Sequence, residues 1–314
     1  MTTLLYTDPR FLGHRTGDHP ENASRLVHIH DHLQASGLAD RCQRAAWEPA
    51  RPEWLAAVHD PGYLEHLAQF IRGGGRAIEA DTVVSPGSLD AALLAAGAVA
   101  DAVTRVIRGD AGRALCLVRP PGHHARRAAA MGFCLLNNVA IGARMATDVL
   151  ETPLDRVLIV DWDVHHGNGT QETFWSDPRV GFFSIHRWPF YPGTGAVDET
   201  GTGPGLGATL NLPVAYGTSR GEYLARFAGE LERFADKIRP QLVLLSAGFD
   251  SHRLDPIGSL GLESEDFTAL TRTVLDVARQ HAAGRIVSVL EGGYNPPVLA
   301  QCVGLHLEEL LGEE

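Results

Sequence analysis

Seven short apolar runs recur along the chain: "LLYT" (4–7), "ALCLV" (114–118), "RVLIV" (156–160), "VGFFSI" (180–185), "ATLNL" (208–212), "LVLLS" (242–246) and "RIVSVL" (285–290). Several are apolar throughout instead of alternating with polar residues. That pattern predicts strands buried on both faces, as in a parallel sheet. Between many of them lie stretches with helical periodicity. "DPGYLEHLAQFIRGG" begins with Asp60 as an N-cap and Pro61 in the first turn, and stops at Gly73. Residues 88–109 are Ala-rich and periodic. The segment 219–240 opens with Ser219 and Glu222 in capping-box spacing, and 264–284 ends at a glycine. Strands alternating with helices predict an α/β sandwich around a mostly parallel sheet. No repeat, low-complexity tract or linker divides the chain, so residues 1–314 are expected to form one domain.

Polar clusters interrupt this pattern at particular places. "RPPGHHA" (119–125), "DWDVHHGNG" (161–169), "SIHR" (184–187), "AGFDSH" (247–252) and "EGGY" (291–294) each follow or close an apolar run. In open α/β sheets ligands sit at the carboxyl ends of the strands, so these five clusters are expected to converge on one edge. Asp163 and His165 are two apart and point the same way on an extended segment. A carboxylate oxygen and an imidazole nitrogen could then reach one metal ion, with Asp250 the best candidate for a third ligand. Three protein ligands with open positions suit a catalytic ion. Zinc is the first choice; iron(II), cobalt or manganese would also suit this set. His123 and His124, adjacent in a Pro-Gly turn, could act as base and acid near neutral pH, with Asp161 or Asn168 orienting them. Gly292 and Gly293 allow close backbone approach to a ligand. Tyr294 could donate a hydrogen bond to a developing oxyanion.

Composition changes this picture little. The 314 residues are 44% hydrophobic, enough for a packed core, with a net charge of −11. That charge argues against nucleic acid, which wants a basic face; it is compatible with a cationic substrate, though solubility explains it as well. The four cysteines are scattered, without a CxxC pair, and read as reduced thiols. The N-terminus lacks the features of a signal peptide and no apolar run is long enough to span a bilayer. A cytoplasmic protein with no membrane partner is expected; a homo-oligomer is left open.

"RPPGHHA", "GFC", "DWDVHHGNGTQ", "YPGTG", "AGFDSH" and "LEGGY" stand in the order seen in zinc-dependent histone deacetylases and their bacterial relatives, which this chain resembles from about residue 6 to 300. "HPENASR" (19–25) and "DTVVSPGSL" (81–89) resemble the class II branch. The resemblance implies an arginase/deacetylase-like three-layer α/β sandwich with eight central strands. It implies zinc held by Asp163, His165 and Asp250. It makes His123 and His124 the tandem catalytic histidines, the second as general base and acid, and gives Tyr294 the scissile carbonyl. It also implies a narrow tunnel lined by Gly132, Phe133 and Tyr191, a substrate contact from Asp81, and a potassium site from Asp161, Ser184, Ile185 and the main-chain oxygens of Asp163 and His165. The expected substrate is acylated lysine in a protein or peptide.

Two departures are visible. Asn168 stands where class I enzymes place an aspartate and class II enzymes often have asparagine, in keeping with the class II resemblance; Tyr191 stands where a tunnel phenylalanine is usual. Acetylpolyamine amidohydrolases share the core motifs, and Asp18 and Glu21 could recognise a second amine. An acetoin-utilisation-type relative is a further reading. Arginase-like ureohydrolases need ligands for two manganese ions, and one full set can be assembled here. A catalytically silent acyl-lysine reader would not need Tyr294 and both histidines.

Overall fold

The computed structural model describes residues 2–312; Met1, Glu313 and Glu314, within the expected 1–314 domain, lie outside it. Eight strands form one sheet: β1 (Thr3–Tyr6), β2 (Gln43–Arg44), β3 (Arg113–Cys116), β4 (Val157–Asp161), β5 (Val180–Arg187), β6 (Thr209–Val214), β7 (Leu242–Ala247) and β8 (Ile286–Leu290). Their order is β2-β1-β3-β8-β7-β4-β5-β6, and every pairing is parallel, where the sequence pattern predicts a mostly parallel sheet. The apolar runs explain the order. Strands β3, β4, β7 and β8 are buried at every position, as a strand covered on both faces must be. At one edge β2 is exposed at both residues, and its polar "QR" gave no strand signal.

Helices α1 (Ser24–Ala35), α2 (Pro52–Ala56), α3 (Pro61–Arg72), α4 (Ser88–Arg108), α5 (Asn138–Arg144), α6 (Asn168–Phe174), α7 (Arg220–Ile238), α8 (Ser264–His281) and α9 (Pro296–Leu311) flank the sheet. The caps expected at Asp60 and Ser219 form: Asp60 accepts from the amides of Gly62 and Tyr63, and Ser219 from that of Glu222. A reciprocal capping box instead starts α8, between Glu263 and Asp266. Helix α4 stops where Gly109 turns left-handed, its N–H returning to Arg105 and Val106. Helix α9 has no clear sequence signature because it is buried around much of its surface, packed against both α1 and α8; an amphipathic stripe is the mark of a helix with one wet side.

Several buried histidines are locked neutral by this packing. His59 Nδ1 lies 2.9 Å from the Arg126 carbonyl, and Nε2 accepts the Asn137 amide at 2.9 Å, so no lone pair is left for a proton. Burial lowers His59 to about 4, and burial likewise lowers His186 to about 4. Both folded values lie below the usual value of about 6.5, so the unfolded chain binds more protons as pH falls. Their stabilisation is therefore complete above about pH 6.5 and is lost on acidification toward about pH 4. Each histidine should cost on the order of 2 kcal/mol by about pH 5. The loss of urea midpoint between about pH 6.5 and pH 4 is expected to be smaller in His59→Gln than in the wild type, since the variant lacks this titration; an equal loss in both would contradict it.

Candidate active site and metal cluster

The five polar clusters do converge. Four occupy the turns that follow β3, β8, β7 and β4, and "SIHR" forms the end of β5 itself; the five strands are neighbours in the parallel sheet, so all five clusters lie at the same carboxyl edge. Asp163, His165 and Asp250, all buried, bring their ligand atoms within 4.8 Å of one another. His165 Nδ1 lies 2.9 Å from Asp163 Oδ1 and 3.2 Å from Asp250 Oδ2. The second Asp250 oxygen, Oδ1, accepts the Val164 amide at 2.9 Å. Asp250 Oδ2 is buried and makes no hydrogen bond. A buried carboxylate oxygen with no donor is costly, and a cation held by the three residues would satisfy it. Two carboxylates and an imidazole suit zinc, iron(II), cobalt or manganese.

The electrostatics agree with a cation. Asp161, Asp163, Asp250, Asp255 and Glu291 are all buried here. Burial pushes Asp250 up, to about 7, with the Asp163 charge adding to the effect. Burial alone would lower His165, but its ring hydrogen bond to Asp163 and the nearby Asp250 charge raise it to about 9. A cation taking Nδ1 must displace that proton, which couples ion binding to pH.

His123 and His124 sit side by side, ring centroids 4.0 Å apart. Their turn begins at a cis Arg119–Pro120 bond. Glu291 holds it from below, accepting the amides of Gly122 at 2.7 Å and His123 at 3.2 Å, and is itself raised to about 7, chiefly by burial. His123 Nδ1 lies 2.9 Å from Asp161. Burial opposes its protonation, yet the Asp161 and Asp163 charges raise it to about 10. His124 Nδ1 lies 2.7 Å from the Asn168 amide oxygen, which assigns the proton to Nδ1 and leaves Nε2 as the acceptor. Burial first, then the neighbouring His123 and His165, hold His124 well below its ordinary value. The two adjacent imidazoles are thus driven apart, one charged and one neutral.

Tyr294 is buried, and burial plus the charges of Asp250 and Asp163 keep its phenol protonated. Its amide donates to Asp255 at 2.6 Å. Arg25 lies 5.1 Å from its ring centroid and donates to the carbonyls of Glu291 and Gly293. Gly292 donates its amide to Asp163 at 2.8 Å, and a Cβ there would collide with the carboxylates of Asp163 and Asp250; its close approach is to these carboxylates. Gly293 packs against Leu299 and Phe249.

The expected wall residues surround this centre. Gly132 and Phe133 are both left-handed, at φ 55° and 69°. A Cβ at Gly132 would strike the His124 ring; the strained phenylalanine is the kind of outlier that marks a functional site. Phe133 meets Tyr294 edge-on at 5.6 Å. Tyr191 stands edge-on to His124 at 5.2 Å and to His165 at 6.0 Å. Asp81 is half-buried and linked to this wall: it accepts from the Thr82 hydroxyl, which in turn accepts the Phe133 amide. Asp161 and Ser184 stand opposite each other in β4 and β5, both buried, next to Ile185. Ser184 also pairs with His186 Nδ1 at 2.9 Å.

One expectation fails. Glu21 is not free to meet a substrate amine. It is buried and engaged by Arg119 Nε at 2.5 Å and Nη2 at 2.7 Å, by Arg25 at 3.1 Å and by His14 at 3.2 Å. Asp18 is exposed. Glu291 and Arg25 stand inside "EGGY" and "HPENASR" without a role assigned from sequence, and Asp255 and Phe190 lie outside every motif. Glu291 carried a signal, as the charge that ends the β8 run.

A parallel sheet with acid–base groups at its carboxyl edge, beside three residues that could hold a metal ion, defines a class of α/β site. The histone deacetylase domain matches residues 19–310, and the chain belongs to that family, whose members are hydrolases acting on amides. It is 39% identical to a probable deacetylase of Archaeoglobus fulgidus, covering 94% of this chain and 82% of the relative. It is 41% identical to the human polyamine deacetylase HDAC10, over 99% of this chain and 46% of the relative. It is 36% identical to a histone deacetylase-like amidohydrolase of Pseudomonas aeruginosa, over 97% and 78%. Its fold superimposes on the crystal structure of the HDA15 HD domain with a TM-score of 0.94 at 35% identity, covering 99% of this chain and 88% of that one. The fold is thus the expected arginase/deacetylase-like one. No helix among the described residues is long and apolar enough to cross a membrane.

Proposed function

We propose that the protein is a zinc-dependent amidohydrolase that removes acetyl, or another acyl group, from acylated lysine side chains. The observation that carries this is the Asp163–His165–Asp250 cluster, with its unpartnered Asp250 oxygen, set beside the charged His123 and neutral His124. When bound there, zinc would polarise the amide carbonyl and make a water acidic. The rest falls to side chains. His124, oriented by Asn168, takes the proton of the attacking water on Nε2 and returns it to the departing amine. His123, kept protonated by Asp161 and Asp163, places positive charge beside the developing oxyanion. Tyr294 donates its phenol hydrogen to that oxyanion. Gly132, Phe133, Tyr191 and the backbone of Gly292 and Gly293 line the acyl-lysine channel, and Asp81 contacts the substrate at its mouth. A potassium ion would be held by Asp161, Ser184, Ile185 and the carbonyls of Asp163 and His165; a buried carboxylate opposite a buried hydroxyl supports it.

A second reading is an acetylpolyamine amidohydrolase. It is favoured by the likeness to a polyamine deacetylase and by Asp81 and Glu79, whose charges add to burial in raising the Tyr191 phenol. Rates on an acetyl-lysine peptide and on N-acetylputrescine, compared on zinc-loaded protein, separate the two. Faster peptide turnover is expected; faster acetylputrescine turnover would move the substrate to small amines. No turnover of either, with zinc bound, would contradict deacetylation.

A further inference from the structure

Beside the metal cluster, four groups from three segments stack in one column. The His165 ring lies flat against Phe190, centroids 5.2 Å apart and planes at 17°. Arg187 covers Phe190, its guanidinium carbon 4.2 Å from the ring centroid. The same carbon lies 4.6 Å from the centroid of Tyr216, which closes the column and is 68% exposed. Arg187 also donates from Nη1 to the Gly258 carbonyl at 2.8 Å. Gly258 belongs to the turn that folds back on the third ligand: the next amide, of Ser259, donates to the Asp250 carbonyl at 2.8 Å. The Arg187 amide donates to the carbonyl of Val164, between the other two ligands, at 2.9 Å.

We propose that Arg187 is a positioning residue for the metal cluster. It presses Phe190 onto the face of His165 and ties down the turn behind Asp250, and so sets how firmly the site keeps its ion. The inference rests on reading Asp163, His165 and Asp250 as ligands. The physical reason is geometric. His165 can bind only if its ring keeps Nδ1 turned toward the two carboxylates, and an aromatic face stacked on the ring restrains that rotation. Phe190 has no polar group to hold it in place, so its position depends on what covers its outer face. A guanidinium is flat, fits between two rings and still presents a fork to a carbonyl. An ammonium is a compact charge and cannot do all three. Outer-shell groups of this kind typically change metal affinity or activity by about 10- to 100-fold.

The test reads metal retention apart from catalysis. Zinc-loaded protein is mixed with excess chromogenic chelator and the rate of zinc release is followed; thermal unfolding of the metal-free forms is measured in parallel. Arg187→Met is expected to release zinc about tenfold faster than wild type or more, with metal-free stability close to wild type. Arg187→Lys is expected to follow the Met variant. Phe190→Leu, which keeps an apolar side chain but removes the ring face, should shift release the same way and carries the test if the Arg187 variants do not fold. Unchanged release in Arg187→Met and Phe190→Leu overturns the proposal. So does full rescue by lysine, which would leave only a role for charge, or faster release matched by an equal collapse of metal-free stability. A wild-type protein that takes up no zinc would remove the ligand assignment itself, and this inference with it.

Discussion

Alanine in place of Asp250 is expected to leave the protein without its ion and to lower turnover about 10³-fold or more. The substitution removes the buried Oδ2 that has no hydrogen-bond partner, and with it one of three ligands. Two ligands do not make a site of this kind. Lewis-acid stabilisation by a bound ion is worth several kcal/mol, and each 1.36 kcal/mol is about a factor of ten in rate, which gives the magnitude. The change also strands the Val164 amide that Asp250 Oδ1 accepts, so Asp250→Asn is the better-behaved companion: it keeps the shape and loses the charge. Elemental analysis of the purified variants checks the claim alongside turnover. Full zinc occupancy in Asp250→Ala would sink the ligand assignment.

Tyr294→Phe should behave differently, losing rate while keeping metal. One oxygen disappears; the ring can stay between Phe133 and Arg25. The phenol is held protonated by burial and by the carboxylates of Asp250 and Asp163, the form an oxyanion donor needs. Losing one such donor typically costs about 3 kcal/mol, so kcat should fall about 100-fold or more. The loss should appear mainly in kcat, since the interaction forms in the transition state. Zinc content and kcat measured on the same preparation decide it. A near-wild-type rate at normal zinc content would reduce Tyr294 to a packing residue.

How much of this was legible in the sequence depended on whether the signal was local. The apolar runs at 156–160, 242–246 and 285–290 marked strand ends within a residue or so of those in the structure, and so located the turns in which Asp163, Asp250 and Tyr294 stand. Spacing put Asp163 and His165 on one side as if on an extended segment, whereas the chain bends after β4 and brings them together by closing the His165 amide on Asp163 Oδ1. The buried scaffold was not legible, because its members meet only in three dimensions. Arg25 reaches Gly293 across 268 positions and Arg119 reaches Glu21 across 98. Glu21 therefore read as a loop acid available to an amine, when two arginines consume it. Phe190 was hidden by its neighbour: the wall position was assigned to Tyr191, which does face both histidines, while Phe190 backs the ligand itself. Helix α9 left no stripe because little of it is wet.

The central claim is that one ion in the Asp163–His165–Asp250 cluster makes this chain an amide hydrolase. The most direct measurement is to strip the protein of metal, add zinc back in steps, and follow acetate release from an acetyl-lysine peptide. Activity rising from nothing to a plateau at about one zinc per chain, and absent from Asp250→Ala at every step, is the result predicted from a single three-ligand site. Acetate release that is indifferent to zinc, or that survives in Asp250→Ala, would contradict it.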